Sequence, residues 1–429
     1  MTENVKTNTQ QNTQPNNQQN TQSNNQQNTQ SNTQPKILLN SDSKDTRTKV
    51  REFCFYLALI IELVLVIADK SALTNPYVSY FFRATFLLTT VTVLLTKYTK
   101  RQWLVVAFAV ILGVVSYRMS GRNEVLRFVM FMAACKEIDM KRALIVSFYV
   151  TLAGCILITL LSISGIFGAI GLSQDYGRNE GVTTRYTLGF GHPNSLQCMF
   201  FVLMLLGMYI YDNKMKWYGY LILFISNIGI YLLTDSRTGF VLAAAAIVAM
   251  MIVHYTRLRE SVITFITAVL VLIGSVGFSV WAAVNSKDCW KDWMLVDKID
   301  HKLNGRIVQL YWQTNAHEGA FETWTLFSNR NSQAYFDMGI VRLFYWYGII
   351  PAVIAILVLV IVLFECYKKR DGLMIVIIST FCVYSIVEAH FISQYIGRNF
   401  CLIVIGVYLL GNTYLSSGRT RKITEILKK

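Results

Sequence analysis

An all-α polytopic membrane protein with about twelve transmembrane helices is predicted by three features of this sequence. Hydrophobic residues make up 53% of the 429 positions and charged residues only 15%, for a mean hydropathy of +0.40. Apolar runs close to the roughly 20 residues that cross a hydrocarbon core recur from Phe53 to Tyr414. Finally, Lys and Arg gather in the short intervals between these runs. The net charge of +15 is therefore a topology signal, and the partner it implies is a lipid bilayer, not a nucleic acid.

Residues 1–50 form a Gln/Asn/Thr-rich tail, with Asn-Thr-Gln recurring at 8, 12, 20, 28 and 32. No core can form from such a tract, so disorder is expected, and it lacks the apolar stretch of a signal peptide. Spans are expected over 53–68, 77–96, 103–119, 122–135, 143–168, 193–211, 217–234, 239–254, 262–284, 337–364, 373–391 and 399–414. They divide into a block at 51–284, a large loop at 285–336, and a second block at 337–415 before a basic tail at 416–429. Threading from an inside N-terminus puts six basic clusters on the cytoplasmic side: Lys97/Lys100/Arg101, Lys136/Lys141/Arg142, Lys214/Lys216, Arg257/Arg259, Lys368/Lys369/Arg370 and Arg419/Arg421/Lys422. Lys70 and the short Arg118/Arg122 turn fall on the other side and count mildly against this threading. Both termini are nonetheless expected on the cytoplasmic side.

Seven of the eight cysteines lie in apolar runs and none forms a CxxC pair, so neither a disulfide framework nor a metal site is indicated. Glu62, Arg83, Arg127, Arg342 and Glu388 stand within apolar runs, where a charge costs at least about 2.5 kcal/mol and should face a bundle interior or an aqueous cavity. Arg342 and Glu388 are the stronger site candidates, because Glu62 and Arg83 are equally well explained as paired or snorkelling charges.

The loop at 285–336 is the one long polar interval between spans. It carries Trp290, Trp293, Tyr311, Trp312, Phe321, Trp324 and Phe327, a density of rings that disordered chain lacks, so it is expected to be folded and partly helical. Aromatic faces beside His317, Glu318 and the Asn304-Gly305-Arg306 turn suit sugar rings and their hydroxyls. Two further motifs begin spans on the same side. Arg185 leads into Gly189-Phe190-Gly191-His192-Pro193-Asn194, and Asp235-Ser236-Arg237-Thr238-Gly239 follows two spans later. Pro193 is a first-turn proline, and Asp235 or Ser236 an N-cap, so helix N-termini would face outward. An anion there could be gripped by Arg237 and Arg306, and a lipid-linked phosphate or diphosphate is the anion expected at such a surface.

In this order, with Asn304-Gly305-Arg306-Ile307 in the large loop and Asp337 before Gly348-Ile349-Ile350, the motifs resemble the Wzy-type O-antigen and exopolysaccharide repeat-unit polymerases, relatives of the O-antigen ligases. The resemblance covers residues 103–414. It implies a glycosyltransferase-C-like membrane fold that acts on undecaprenyl-diphosphate-linked oligosaccharides with no cofactor, nucleotide sugar or metal. It leaves room for a chain-length regulator and a flippase as protein partners. By position it assigns the donor diphosphate to Arg237 and Arg306. Arg185, Asn194, Asn304, Trp312 and Arg342 are further substrate-binding candidates, and His192, Asp337 and Glu388 are catalytic ones. The ligases' His-Asn pair at the loop's end is replaced here by Arg330-Asn331-Ser332, which makes Asp337 the candidate base, with His317 and Glu318 in reserve. A ligase is the nearest alternative. A transporter is the alternative of another class, but the halves show neither internal repeats nor broken helices at midspan.

Overall fold

Apolar length and terminal caps dictate where the helices lie. The computed structural model describes residues 35–73, 75–176, 181–291, 294–328, 334–389 and 396–411. The Gln/Asn/Thr tract before residue 35, Trp293, Arg330-Asn331-Ser332 and the basic tail lie outside them. The chain divides into two units, residues 1–46 and 47–429. Of the first, residues 35–46 are helical, so helix, not irregular chain, precedes the first expected span.

The described helices are α1 (Pro35–Lys70), α2 (Val78–Leu95), α3 (Lys100–Ser120), α4 (Glu124–Ala134), α5 (Met140–Ile163), α6 (Pro193–Ile210), α7 (Trp217–Thr234), α8 (Arg237–Tyr255), α9 (Val262–Asn285), α10 (Leu295–Lys302), α11 (Gln309–Trp312), α12 (Gly339–Tyr347), α13 (Ile349–Lys368), α14 (Gly372–Tyr384) and α15 (Ile396–Leu410). Thr99 opens α3 with a full capping box to Gln102. Asp139, Ser261 and Asp371 cap α5, α9 and α14 through their side chains. Each expected span thus overlaps a described helix. Eight helices, α2, α3, α5 to α9 and α13, are long and apolar enough to cross a membrane. At ~1.5 Å per residue, α4, α14 and α15, with 11, 13 and 15 residues, are shorter than a ~30 Å hydrocarbon core.

Two features depart from the sequence reading. The expected span at 337–364 is broken at Gly348, whose φ of 96° and a would-be Cβ only 2.5 Å from the Phe327 Cα admit glycine alone. An antiparallel hairpin, β1 (Gly171–Asp175) and β2 (Val182–Tyr186), stands before α6 in an otherwise helical protein. Packing centres on α6 and α14, the latter touching α6, α8, α9 and α13. The large loop is folded as expected: α10 and α11 enclose a small core of Cys289, Val296, Ile307 and Leu310 with Phe336 and Met338.

The charges inside spans are mostly settled by partners. Glu62 on α1 accepts hydrogen bonds from Thr85 Oγ1 at 2.6 Å and Arg127 Nη2 at 2.8 Å, and Arg127 also lies 3.6 Å over the Phe82 ring. Arg83 is exposed beside Tyr80. Removing one member of a buried pair strands the other charge, so Glu62→Ala should destabilise the protein by about 3–5 kcal/mol. In thermal unfolding in detergent, Glu62→Met with Arg127→Met should recover most of that loss. A single variant as stable as the wild type would show that the pair does not tie α1 to α4.

Candidate functional site

Three segments distant in sequence meet at the end of the bundle where α6 and α8 begin and α14 ends. They enclose a polar cavity of about 280 Å³. The first arrives from β2. Leu188 and Gly189 turn with positive φ, and a Cβ on Gly189 would lie 2.8 Å from Ile158 Cγ2. Gly191 N–H then bonds Lys70 O at 2.9 Å, which pins the chain against the end of α1. His192 is the N-cap of α6, its Nδ1 accepting from Asn194 N–H at 3.1 Å, and Pro193 fills the first turn. With Nδ1 an acceptor, the neutral ring carries its proton on Nε2.

The second segment is the α7–α8 corner. Asp235 takes φ 47° and ends α7, Ser236 stands at the N-cap position, and Arg237 opens α8. Gly239 explains the motif's last letter: a Cβ there would lie 2.5 Å from Gln197 Cγ and 2.9 Å from the Tyr384 hydroxyl, so α8 could not approach α6 and α14. Asp235 reaches two arginines, Arg185 Nη2 at 3.2 Å and Arg237 Nε at 3.6 Å. Arg185 is buried and its guanidinium lies 3.9 Å over Tyr176, yet neither its Nε nor its Nη2 makes a hydrogen bond to a described residue. Arg237 is more than half exposed.

The third segment is the loop turn. Asn304 and Gly305 both take positive φ, and Asp300 Oδ1 accepts from Ile307 and Val308 N–H at 2.6 and 3.2 Å to brace the turn. Arg306 is thereby driven inward and its three nitrogens find partners: Nε on Val387 O at 2.8 Å, Nη1 on Leu303 O at 3.0 Å, Nη2 on Glu388 Oε1 at 2.9 Å. Burial disfavours the Arg306 cation, but Glu388 and Asp337 outweigh it and hold its pKa above the usual arginine value. Asn194 Nδ2 donates to the same Glu388 oxygen at 3.3 Å, and Asp337 lies 3.8 Å from Arg306 Nε with a third of its side chain exposed.

Of the ten residues singled out from sequence, the cavity wall therefore collects eight: Arg185, His192, Asn194, Arg237, Asn304, Arg306, Asp337 and Glu388. Two are corrected. Trp312 is half exposed on the loop surface, edge-on to Trp290 and Tyr311, and does not line the cavity. Arg342 is fully buried between Tyr335 and Trp346, 3.9 and 4.8 Å from their ring centres, and donates to Phe336 O. Ring faces and a carbonyl contact its guanidinium, and it ties down the segment leading to Asp337. Neither reserve lines the cavity: His317 stacks on Tyr311 at 3.7 Å, and Glu318 accepts from the Tyr345 hydroxyl. The roles of Arg306 and Glu388 also shift. Arg306 presents no open two-donor fork to a diphosphate, and Oε1 of Glu388 is engaged by Arg306 and Asn194.

The wall also includes Gln174, Asp175 and Tyr176 from the hairpin, Gln309 from α11 and Tyr384 from α14, which the sequence reading missed. The alternation of Val182, Thr184 and Tyr186 after Gly181 was the available signal for the hairpin. Three arginines on the wall face three carboxylates, Asp175, Asp337 and Glu388, so the cavity is close to neutral. Such a wall can hydrogen-bond hydroxyls from both donors and acceptors, and Asp337 can accept a proton. No family model, curated protein or solved structure matches this chain.

Burial lowers the pKa of His192 below its ordinary value, with Asp337 pulling the other way and Arg185 and Arg306 reinforcing burial. Because the unfolded chain then binds the proton more readily, stability should fall as pH drops through the unfolded value near ~6.5 and level off below the folded one. The drop in melting temperature between pH 7.5 and 5.5 should be smaller in His192→Asn, which retains a capping side chain. An equal drop in both proteins would remove His192 from the cavity's buried set.

Proposed function

We propose that this protein is a polymerase of lipid-linked oligosaccharide repeat units, transferring a growing glycan from undecaprenyl diphosphate to a new unit at the outer face of a bacterial cytoplasmic membrane. The observation that carries this reading is the convergence of the Gly-Phe-Gly-His-Pro-Asn, Asp-Ser-Arg-Thr-Gly and Asn-Gly-Arg motifs on one polar cavity. In this reading α1, α4, α14 and α15 complete about twelve crossings with the eight long helices. The threading by basic loops then turns the cavity outward with both termini inside. An amphipathic substrate is further supported by an apolar cavity of about 220 Å³, whose lining on α12 and at the end of α14 is adjacent in sequence to that of the polar one. Gly339 and Ser385 line the apolar side, while Asp337, Tyr384 and Glu388 line the polar side.

The reaction follows from these roles. An acceptor hydroxyl attacks the anomeric carbon of the donor chain, the new C–O bond forms as the bond to diphosphate breaks, and the lipid diphosphate leaves with the electron pair. Asp337 takes the hydroxyl proton, a contribution of typically ~10²–10⁴-fold. Arg185 and Arg237 receive the leaving diphosphate, since Arg185 Nε makes no hydrogen bond to a described residue and Arg237 stands exposed at the N-terminus of α8. Arg306 and Glu388 are positioning residues that hold the loop and Asn194 in place. Asp235 is the internal counter-ion which the diphosphate displaces.

Purified protein in lipid, supplied with undecaprenyl-diphosphate repeat units, should produce a ladder of polymer. Arg185→Lys and Arg237→Lys should each reduce its rate by roughly 10²–10³, while Lys302→Ala, an exposed cation of the large loop, should leave it unchanged. Arg306→Lys should lower thermal stability as well, because one ammonium cannot meet acceptors on Val387, Leu303 and Glu388 together. Asp235→Asn, which tolerates positive φ and removes the competing charge, should tighten binding of inorganic diphosphate in calorimetry. A ladder at wild-type rate from both the Arg185 and Arg237 variants would overturn the diphosphate assignment.

A further inference from the structure

A second polar cavity, of about 420 Å³, lies at the opposite end of the bundle. The starts of α5 and α14, the ends of α6 and α15, and the link between α8 and α9 wall it. Unlike the candidate site, its charges do not balance. Lys141, Arg259, Lys369 and Arg370 line it against only Asp212 and Asp371. Both carboxylates are already committed. Asp371 Oδ2 accepts from the hydroxyls of Tyr209 and Tyr408 at 2.7 and 2.6 Å, and its Oδ1 caps α14 at Met374 N. Asp212 takes Arg259 Nη1 at 2.7 Å and shares a short hydrogen bond with His254 Nδ1 at 2.5 Å. Arg370 is answered from outside the cavity by Glu260 at 2.9 Å. That leaves Lys141 and Lys369, neither with a carboxylate partner among the described residues; Lys369 Nζ instead sits 4.3 Å over the Tyr408 ring.

We propose that this cavity binds a phosphate-bearing anion, held by Lys141 and Lys369 against the α14 start. Two uncompensated ammonium groups in a concave pocket at helix ends call for a compact anion, and a neutral sugar would leave both charges unmet. Basic pockets between membrane helices take the headgroups of anionic lipids, and a free phosphate offers the same chemistry. The site is independent of the proposed polymerase activity. Its ligand would brace α6, α14 and α15 at the end away from the Arg306–Glu388 contact.

The test uses full-length protein in phosphatidylcholine nanodiscs, alone, with added phosphatidylglycerol, or with inorganic phosphate, read by thermal unfolding and by native mass spectrometry of retained lipid. Phosphatidylglycerol should stabilise the wild type saturably, and its affinity should fall about fivefold for Lys141→Gln and about 25-fold for Lys141→Gln with Lys369→Gln. Both lysines are exposed, so these variants should fold. Lys100→Gln with Arg101→Gln, which removes the same charge outside the cavity, should change the affinity by less than about twofold. If inorganic phosphate gives the same lysine-dependent stabilisation and phosphatidylglycerol adds nothing, the ligand is a soluble phosphate. If neither ligand separates the double variant from the wild type and the Lys100/Arg101 control, the site does not exist.

Discussion

The buried contact between Arg306 and Glu388 is the constraint on which the arrangement of the cavity depends. It joins the large loop to the end of α14 across 82 residues of sequence, and through Asn194 it reaches the first turn of α6. An isolated buried ion pair is weak grounds for stability, since desolvation consumes most of the Coulombic gain. Here each guanidinium nitrogen has an acceptor, two of them backbone carbonyls, so the pair does not stand alone. What it contributes is position: once Arg306 is seated, the Asn304 turn, Asp337 and the N-cap of α6 occupy fixed places around one space. The glycines of the motifs serve the same end. Gly239 lets α8 close on Gln197 and Tyr384, and Gly348 lets the α12–α13 break lie against Phe327.

Much of this was legible in the sequence because the bilayer leaves helices few alternatives. Each expected span overlaps a described helix, and eight of the ten residues singled out line one cavity. What was not legible depended on tertiary partners. Arg342 read as a functional intramembrane charge, but its cage draws on Tyr335 in the loop and Trp346 one turn along α12, and only the fold brings the loop ring over the guanidinium. Glu388 and Arg306 were recognised as polar groups near one face, whereas their mutual saturation is a matter of ångströms. The hairpin was hidden by its brevity: five residues a strand carry too little alternation to stand out between two long apolar runs. The break at Gly348 was hidden for the opposite reason, since isoleucines follow it directly and hydropathy is blind to a positive φ.

Charge distribution separates the two ends of the bundle. At the candidate site three arginines are matched by carboxylates, and Asp235 adds a fourth acid just behind Arg185 and Arg237. A site built as a permanent well for a dianion would be expected to keep its cations uncompensated, as Lys141 and Lys369 are at the other end. For a site that must release a lipid diphosphate after every transfer, near-neutrality has an advantage. Differential binding accelerates a reaction only where the interaction strengthens as the transition state forms, and holding the product equally tightly would slow turnover. On the proposed reading, a carboxylate already poised between two arginines competes with the departing anion. The αL backbone at Asp235 fixes that carboxylate at the α7–α8 corner, so the counter-ion cannot follow the anion out. On the proposed reading, the strain held at this one residue is what lets the same two arginines both receive and discharge the leaving group.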